Sequence, residues 1–106
     1  MKLVTARIRP DRLEPVHAAL MEIGISNLTA TEVKGFGPEV DHAEIHRGAQ
    51  YQVAFMPMVK IESVVTDDLV AQVVATIREA STTGQADRSH IWVSGVLSEE
   101  TGEAKP

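Results

Sequence analysis

A chain of 106 residues, 43% hydrophobic and 24% charged, has the size and composition of one globular domain. Its formal net charge of -5, with ten basic residues against fifteen acidic, argues against general binding of nucleic acid. The absence of cysteine excludes disulfides, thiol catalysis and thiolate metal sites. No apolar run approaches the roughly 20 residues that span a bilayer. The sequence therefore predicts a cytoplasmic protein without membrane insertion or a covalent cofactor.

The first half of the chain predicts a strand, a helix and a second strand. Residues 2–9 alternate apolar and polar side chains, as a half-buried strand does. Pro10 ends this strand, and apolar residues then recur at helical spacing as far as Gly24, which suits a helix terminus. Residues 28–36 form the second predicted strand. The apolar positions are Val4, Ala6 and Ile8 in the first strand and Leu13, Val16, Leu20 and Ile23 in the helix.

The second half predicts two further strands around a second helix. Residues 58–65 and 91–93 are strand-like. Between them, Thr66 is expected to cap a helix that runs to about Ser81, because acidic residues follow it at the positive end of the helix dipole. The apolar stripe of this helix comprises Leu69, Val70, Val73, Val74 and Ile77. Residues 98–106 are small and acidic and are expected to form a flexible tail after a domain of residues 1–97.

The predicted order, β-α-β-β-α-β, is that of an α+β, ferredoxin-like domain. Such a domain has a four-stranded antiparallel sheet with both helices on one face. The other face is expected to carry Ile61 and Trp92, which would need a partner to leave water. The sequence therefore predicts self-association.

A Gly-Phe-Gly segment at residues 35–37 ends the second strand and opens a long polar loop, residues 37–54. Long loops between paired strands are commonly functional, and this one is expected to be mobile without ligand. The loop opens with E-V-K-G-F-G at residues 32–37 and closes with R-G-A-Q-Y at residues 47–51. These motifs resemble those of the PII nitrogen-regulatory signalling family, where they lie at the beginning and the end of a loop called the T-loop. The resemblance runs without a gap from Met1 to about Gly84 and then fades.

The resemblance implies a homotrimer with nucleotide sites in the clefts between subunits. It further implies T-loops that regulate a partner such as a membrane transporter or a metabolic enzyme. A turn that wraps phosphates in the family corresponds here to residues 83–90, where two lysines and two glycines are lost and Arg88 and His90 substitute in part. The nucleotide-binding positions so predicted are Thr29, Gly35, Phe36, Gly37, Glu62, Val64, Arg88 and His90.

The departures from the family pattern concern its second ligand. Pro38-Glu39 stands where members carry Arg-Gln, and Met58 stands where they carry a lysine that helps to bind 2-oxoglutarate. A carboxylate and a thioether in these places remove the counter-charge of a dicarboxylate. The predicted ligand is therefore ADP or AMP, with ATP as a further candidate and bicarbonate as an accompanying anion. This pattern is similar to PII-like branches associated with carbon uptake and carboxysomes.

Other interpretations of the loop and of the whole protein stay open. Tyr51 occupies a position that is nucleotidylylated in some PII proteins, or it anchors the returning loop. His42 and His46, four residues apart, would suit a metal-responsive protein of the CutA or efflux-associated kind, although a polar loop with two chance histidines is the simpler interpretation, and no metal site is predicted. A nitrogen regulator of the ordinary type, or a trimer with a decayed site, completes the alternatives. No catalytic set emerges, so the protein is not expected to be an enzyme.

Overall fold

The computed structural model describes residues 1–36, 55–82 and 89–102, and shows the predicted order of four strands and two helices. A short 3₁₀ turn precedes each helix, at Pro10–Arg12 and Asp67–Leu69. The elements are β1 (Lys2–Ile8), α1 (Leu13–Glu22), β2 (Thr29–Gly35), β3 (Met56–Val65), α2 (Val70–Ser81) and β4 (His90–Gly95).

The four strands form one antiparallel sheet in the order β2-β3-β1-β4. The two central strands, β1 and β3, are therefore distant in sequence, and each helix connects strands that do not pair directly. This is the ferredoxin-like arrangement, and the predicted fold class is confirmed.

Helix α1 ends at Glu22, and Gly24 lies two residues beyond it as the terminating glycine that the sequence predicts. Gly24 has a φ of +88°, which a residue without a side chain adopts easily. The Ile25 amide donates to the Leu20 carbonyl at 2.9 Å and the Gly24 amide to the Met21 carbonyl at 3.0 Å, which together form a Schellman motif. The motif turns the chain sharply towards β2.

The start of helix α2 differs from the prediction in its capping hydrogen bond. Thr66 has the extended backbone of a capping residue, but its side chain makes no capping hydrogen bond. Asp67 instead accepts a hydrogen bond from the Met1 amino group at 2.9 Å and lies 3.5 Å from the Lys2 ammonium. Both contacts lower the pKa of Asp67 below its ordinary value, and the hydrogen bond from the amino group has the larger effect.

The core lies between the helices and one face of the sheet. The predicted apolar faces of β1, α1 and α2 all contribute to it, and Val16, Leu20 and Val73 are completely buried. One assignment was wrong: Ile61 does not lie on the open face but in the core, where it is 1% exposed and opposite Ala6. The buried hydrophobic residues are Val4, Ala6, Ile8, Val16, Leu20, Ile25, Met58, Val59, Ile61, Val65, Val73 and Ile77.

The other sheet face is open, and Trp92 lies on it with half of its surface exposed, as predicted. Within the described ranges, neither helix is long and apolar enough to cross a membrane.

We expect neighbouring subunits to cover this open face, and the family resemblance selects a trimer. Light scattering at micromolar concentration should return three times the chain mass of 11.5 kDa. A mass of a single chain under those conditions would contradict this expectation.

Candidate functional site

An open cleft of about 430 Å³ lies where β2 begins beside β3. Thr29, Glu62 and Val64, three of the residues predicted to bind nucleotide, line it together. Thr29 and Glu62 are directly opposite in the strand register, so their side chains share a face of the sheet. The complete lining is Leu3, Ser26, Asn27, Leu28, Thr29, Glu62, Ser63, Val64 and Glu99.

Asn27 holds one wall of this cleft against β3. Its side-chain amide donates to the Val64 carbonyl at 3.0 Å, and its oxygen accepts a hydrogen bond from the Ser63 hydroxyl at 3.2 Å. Ser63 is 5% exposed, so the bond also satisfies a buried hydroxyl. The turn before β2 is therefore fixed by side-chain contacts.

The cleft is chemically suited to a ligand that donates hydrogen bonds. Two carboxylates, those of Glu62 and Glu99, line it, and its described lining includes no cationic side chain. An ionised carboxylate only accepts hydrogen bonds. The cleft therefore favours an exocyclic amine or a sugar hydroxyl over a phosphate.

Glu99 was not predicted from the sequence. It follows β4 in a segment whose Val96 amide donates to the Met1 carbonyl at 3.2 Å. That bond holds the segment beside the start of β1, within reach of the cleft. The acidic composition of the segment favoured a flexible tail, and no sequence signal links residue 99 to residue 62.

Gly35 and Phe36 lie at the far end of β2, about 20 Å from Thr29 for six residues of extended chain. A side chain at position 35 would bring its Cβ to 3.2 Å from the Met58 Cγ, so only glycine fits there without displacement. Phe36 is 53% exposed, and its ring centroid is 6.1 Å from that of Phe55. Within the described residues, Gly35 and Phe36 therefore lie away from the first cleft.

A second cleft, of about 510 Å³, lies beside the hinge and is mainly apolar. Met58 is 8% exposed here, at the position where the family carries lysine. The Lys34 ammonium lies 4.9 Å from the centroid of the Phe55 ring. The lining residues are Pro10, Glu32, Val33, Lys34, Phe55, Pro57, Met58 and Val59.

His90 lies on β4, at the opposite edge of the sheet from β2. Its ring stacks on Trp92, with centroids 5.9 Å apart and planes inclined at 22°, and its Nδ1 lies 3.2 Å from the Arg7 Nη2. It therefore belongs to a different part of the open face from the cleft.

Several predicted positions lie outside the described residues: Gly37, Arg88, Tyr51, Glu39, and the pair His42 and His46. In the described ranges, no group of three or more potential metal ligands comes together. His17 is exposed on α1.

Comparison with known proteins gives one consistent result. Residues 1–100 match the family model for nitrogen regulatory protein P-II. The nitrogen regulatory protein GlnK of Escherichia coli K12 is 47% identical over 107 aligned residues, which cover 98% of this chain and 96% of the relative. Nitrogen regulatory protein P-II of Bradyrhizobium diazoefficiens is 47% identical over 96 residues, covering 91% and 86%. P-II 1 of Escherichia coli K12 is 46% identical over 106 residues, covering 97% and 95%.

Proposed function

Because the chain belongs to the P-II nitrogen regulatory protein family, we propose that it binds ADP or AMP and regulates a partner protein through residues 37–54. The family was predicted from the sequence motifs and is confirmed, as is a regulatory role rather than an enzymatic one. A trimer is consistent with this family.

The proposal of nucleotide binding rests on the residues that line the first cleft. Thr29, Glu62 and Val64, which the family resemblance selects, line a single cleft whose acceptors suit an adenine amine and ribose hydroxyls. The phosphates would then extend away from the two carboxylates. A small monoanion such as bicarbonate is the proposed second ligand.

The proposed partner is a transporter or a metabolic enzyme that contacts the loop. The relatives are named for nitrogen regulation, and family membership makes this chain a nitrogen regulatory signalling protein at that level. A role in carbon metabolism stays a prediction from the substitutions at residues 38, 39 and 58.

Thermal unfolding with added nucleotide tests the proposal. ADP or AMP at about 100 times its dissociation constant should add roughly 2.7 kcal/mol to the free energy of unfolding. GDP, matched in charge and phosphate number, should add less because its base presents a carbonyl where adenine presents an amine. No stabilisation by either adenine nucleotide would favour a trimer with a decayed site.

A variant in the cleft separates specific binding from a general salt effect. Glu62→Gln removes a charged acceptor, and the loss of one charge-assisted hydrogen bond should weaken ADP about 10- to 100-fold. Glu79→Gln, which makes the same change at an exposed position of α2, should leave the affinity unchanged. Equal affinities in the two variants would remove Glu62 from the site.

A further inference from the structure

Four side chains that donate hydrogen bonds form one row across the open sheet face. Thr31 pairs with Lys60, Lys60 with Arg7, and Arg7 with His90 in the strand register. Directly opposite residues place their Cβ atoms about 4.5–5.5 Å apart and on the same face. The row therefore concentrates three basic residues on neighbouring strands of a protein whose net charge is -5.

No carboxylate neutralises the row within the described chain. Arg7 and Lys60 each lie beyond ion-pair distance from every described acidic group, and the described salt bridges involve other residues. Glu62 lies on the same face but one row away, opposite Thr5. Like charges directly opposite on a sheet repel each other. The pairing of Arg7 with Lys60 is thus unfavourable unless an anion lies between them.

The Arg7 guanidinium is held in place and keeps a donor unused. Its Nη2 lies 3.2 Å from the His90 Nδ1, and its Cζ lies 5.9 Å from the centroid of the Trp92 ring. A guanidinium only donates, so the imidazole accepts on Nδ1 and carries its proton on Nε2. The Arg7 Nε is buried without any hydrogen-bond partner. Buried polar groups are nearly always paired, so this donor indicates an acceptor that the described residues do not supply.

We propose that Arg7, Lys60 and His90 form an oxyanion site that binds a phosphate group. Phosphate presents several acceptor oxygens, and a guanidinium can donate to two of them at once. Lys60 lies two residues along β3 from Glu62, about 7 Å from the first cleft, and Arg7 and His90 follow on the next two strands away from it. That the phosphate belongs to a nucleotide seated in this cleft rests on the proposed function. Free phosphate would use the same contacts.

Trp92 reports on this site, since it is the one tryptophan of the chain and lies beside Arg7. The experiment titrates inorganic phosphate, AMP and adenosine into the full-length protein in phosphate-free buffer and follows tryptophan emission, with calorimetry for the affinities. AMP should bind about tenfold or more tightly than adenosine, because only AMP carries the phosphate. Phosphate alone should change the emission and saturate.

Arg7→Gln should abolish the response to phosphate and reduce the preference for AMP over adenosine about tenfold. The affinity for adenosine should stay within about twofold, since the base and sugar bind elsewhere. Lys60→Gln should reduce the same preference, which keeps the test available if one variant folds poorly. Arg78→Gln removes an equal charge from the exposed surface of α2 and should change nothing.

An unchanged preference for AMP in both Arg7→Gln and Lys60→Gln would overturn the proposal. It would also fail if phosphate had no effect and Arg7→Gln instead dissociated the oligomer, because the missing acceptor would then be a carboxylate of a second copy. If neither adenosine nor AMP binds but an Arg7-dependent response to phosphate persists, the oxyanion site stands and the proposed nucleotide function fails.

Discussion

Replacing Val73 with aspartate is expected to unfold the subunit. Val73 is completely buried in the apolar stripe of α2, against the helix-facing side of the sheet. An unpaired carboxylate there would cost several kcal/mol, a large share of the about 5–15 kcal/mol by which domains of this size are stable. Circular dichroism in urea should show the loss of the native transition.

Two variants on the same helix calibrate this result. Ala75→Asp introduces the same charge at an exposed position and should shift the urea midpoint little. Val74→Asp, at a partly buried position that packs against the core, should fall between the two. A Val73→Asp protein as stable as Ala75→Asp would show that the helix does not pack as described.

The periodicity of the sequence predicted most of the fold because single faces of β1, α1 and α2 are buried. The buried face of strand β3 was harder to predict. Both of its faces carry apolar residues, Ile61 on one and Val64 on the other, and Ser63 occupies a buried position. A buried serine breaks the alternation from which the inward face is predicted. Its hydroxyl is satisfied by Asn27, a partner 36 residues away that no local pattern reveals.

The candidate site likewise contains residues that the sequence predicted and residues that it did not. Thr29, Glu62 and Val64 were identified through motifs, and they meet because β2 and β3 pair in register. Arg7 resembled an ordinary solvent-facing residue of β1. Its interest comes from His90, 83 residues away, which the pairing of β1 with β4 brings alongside it. Side-chain clusters of this kind depend on register between distant strands and are therefore not visible in either segment alone.

We expect that 2-oxoglutarate does not tighten nucleotide binding. Met58 is 8% exposed and lies close beneath Gly35, and its thioether offers no charge to a dicarboxylate. A lost charge-assisted hydrogen bond is worth about 1.5–3 kcal/mol, or about 10- to 100-fold in affinity. Glu39 would add repulsion in place of a neutral amide. We therefore expect 2-oxoglutarate to change the dissociation constant of ATP with magnesium by less than about twofold.

The ligand preference can be measured by calorimetry of the wild-type protein. AMP, ADP and ATP with magnesium are each titrated alone and then with bicarbonate or 2-oxoglutarate. We expect ADP or AMP to bind in the absence of 2-oxoglutarate, and 2-oxoglutarate to leave every affinity essentially unchanged. If ATP with magnesium and 2-oxoglutarate together bound tightest, the substitutions at residues 39 and 58 would have been misinterpreted. Absence of binding by all three nucleotides would contradict the proposed function itself.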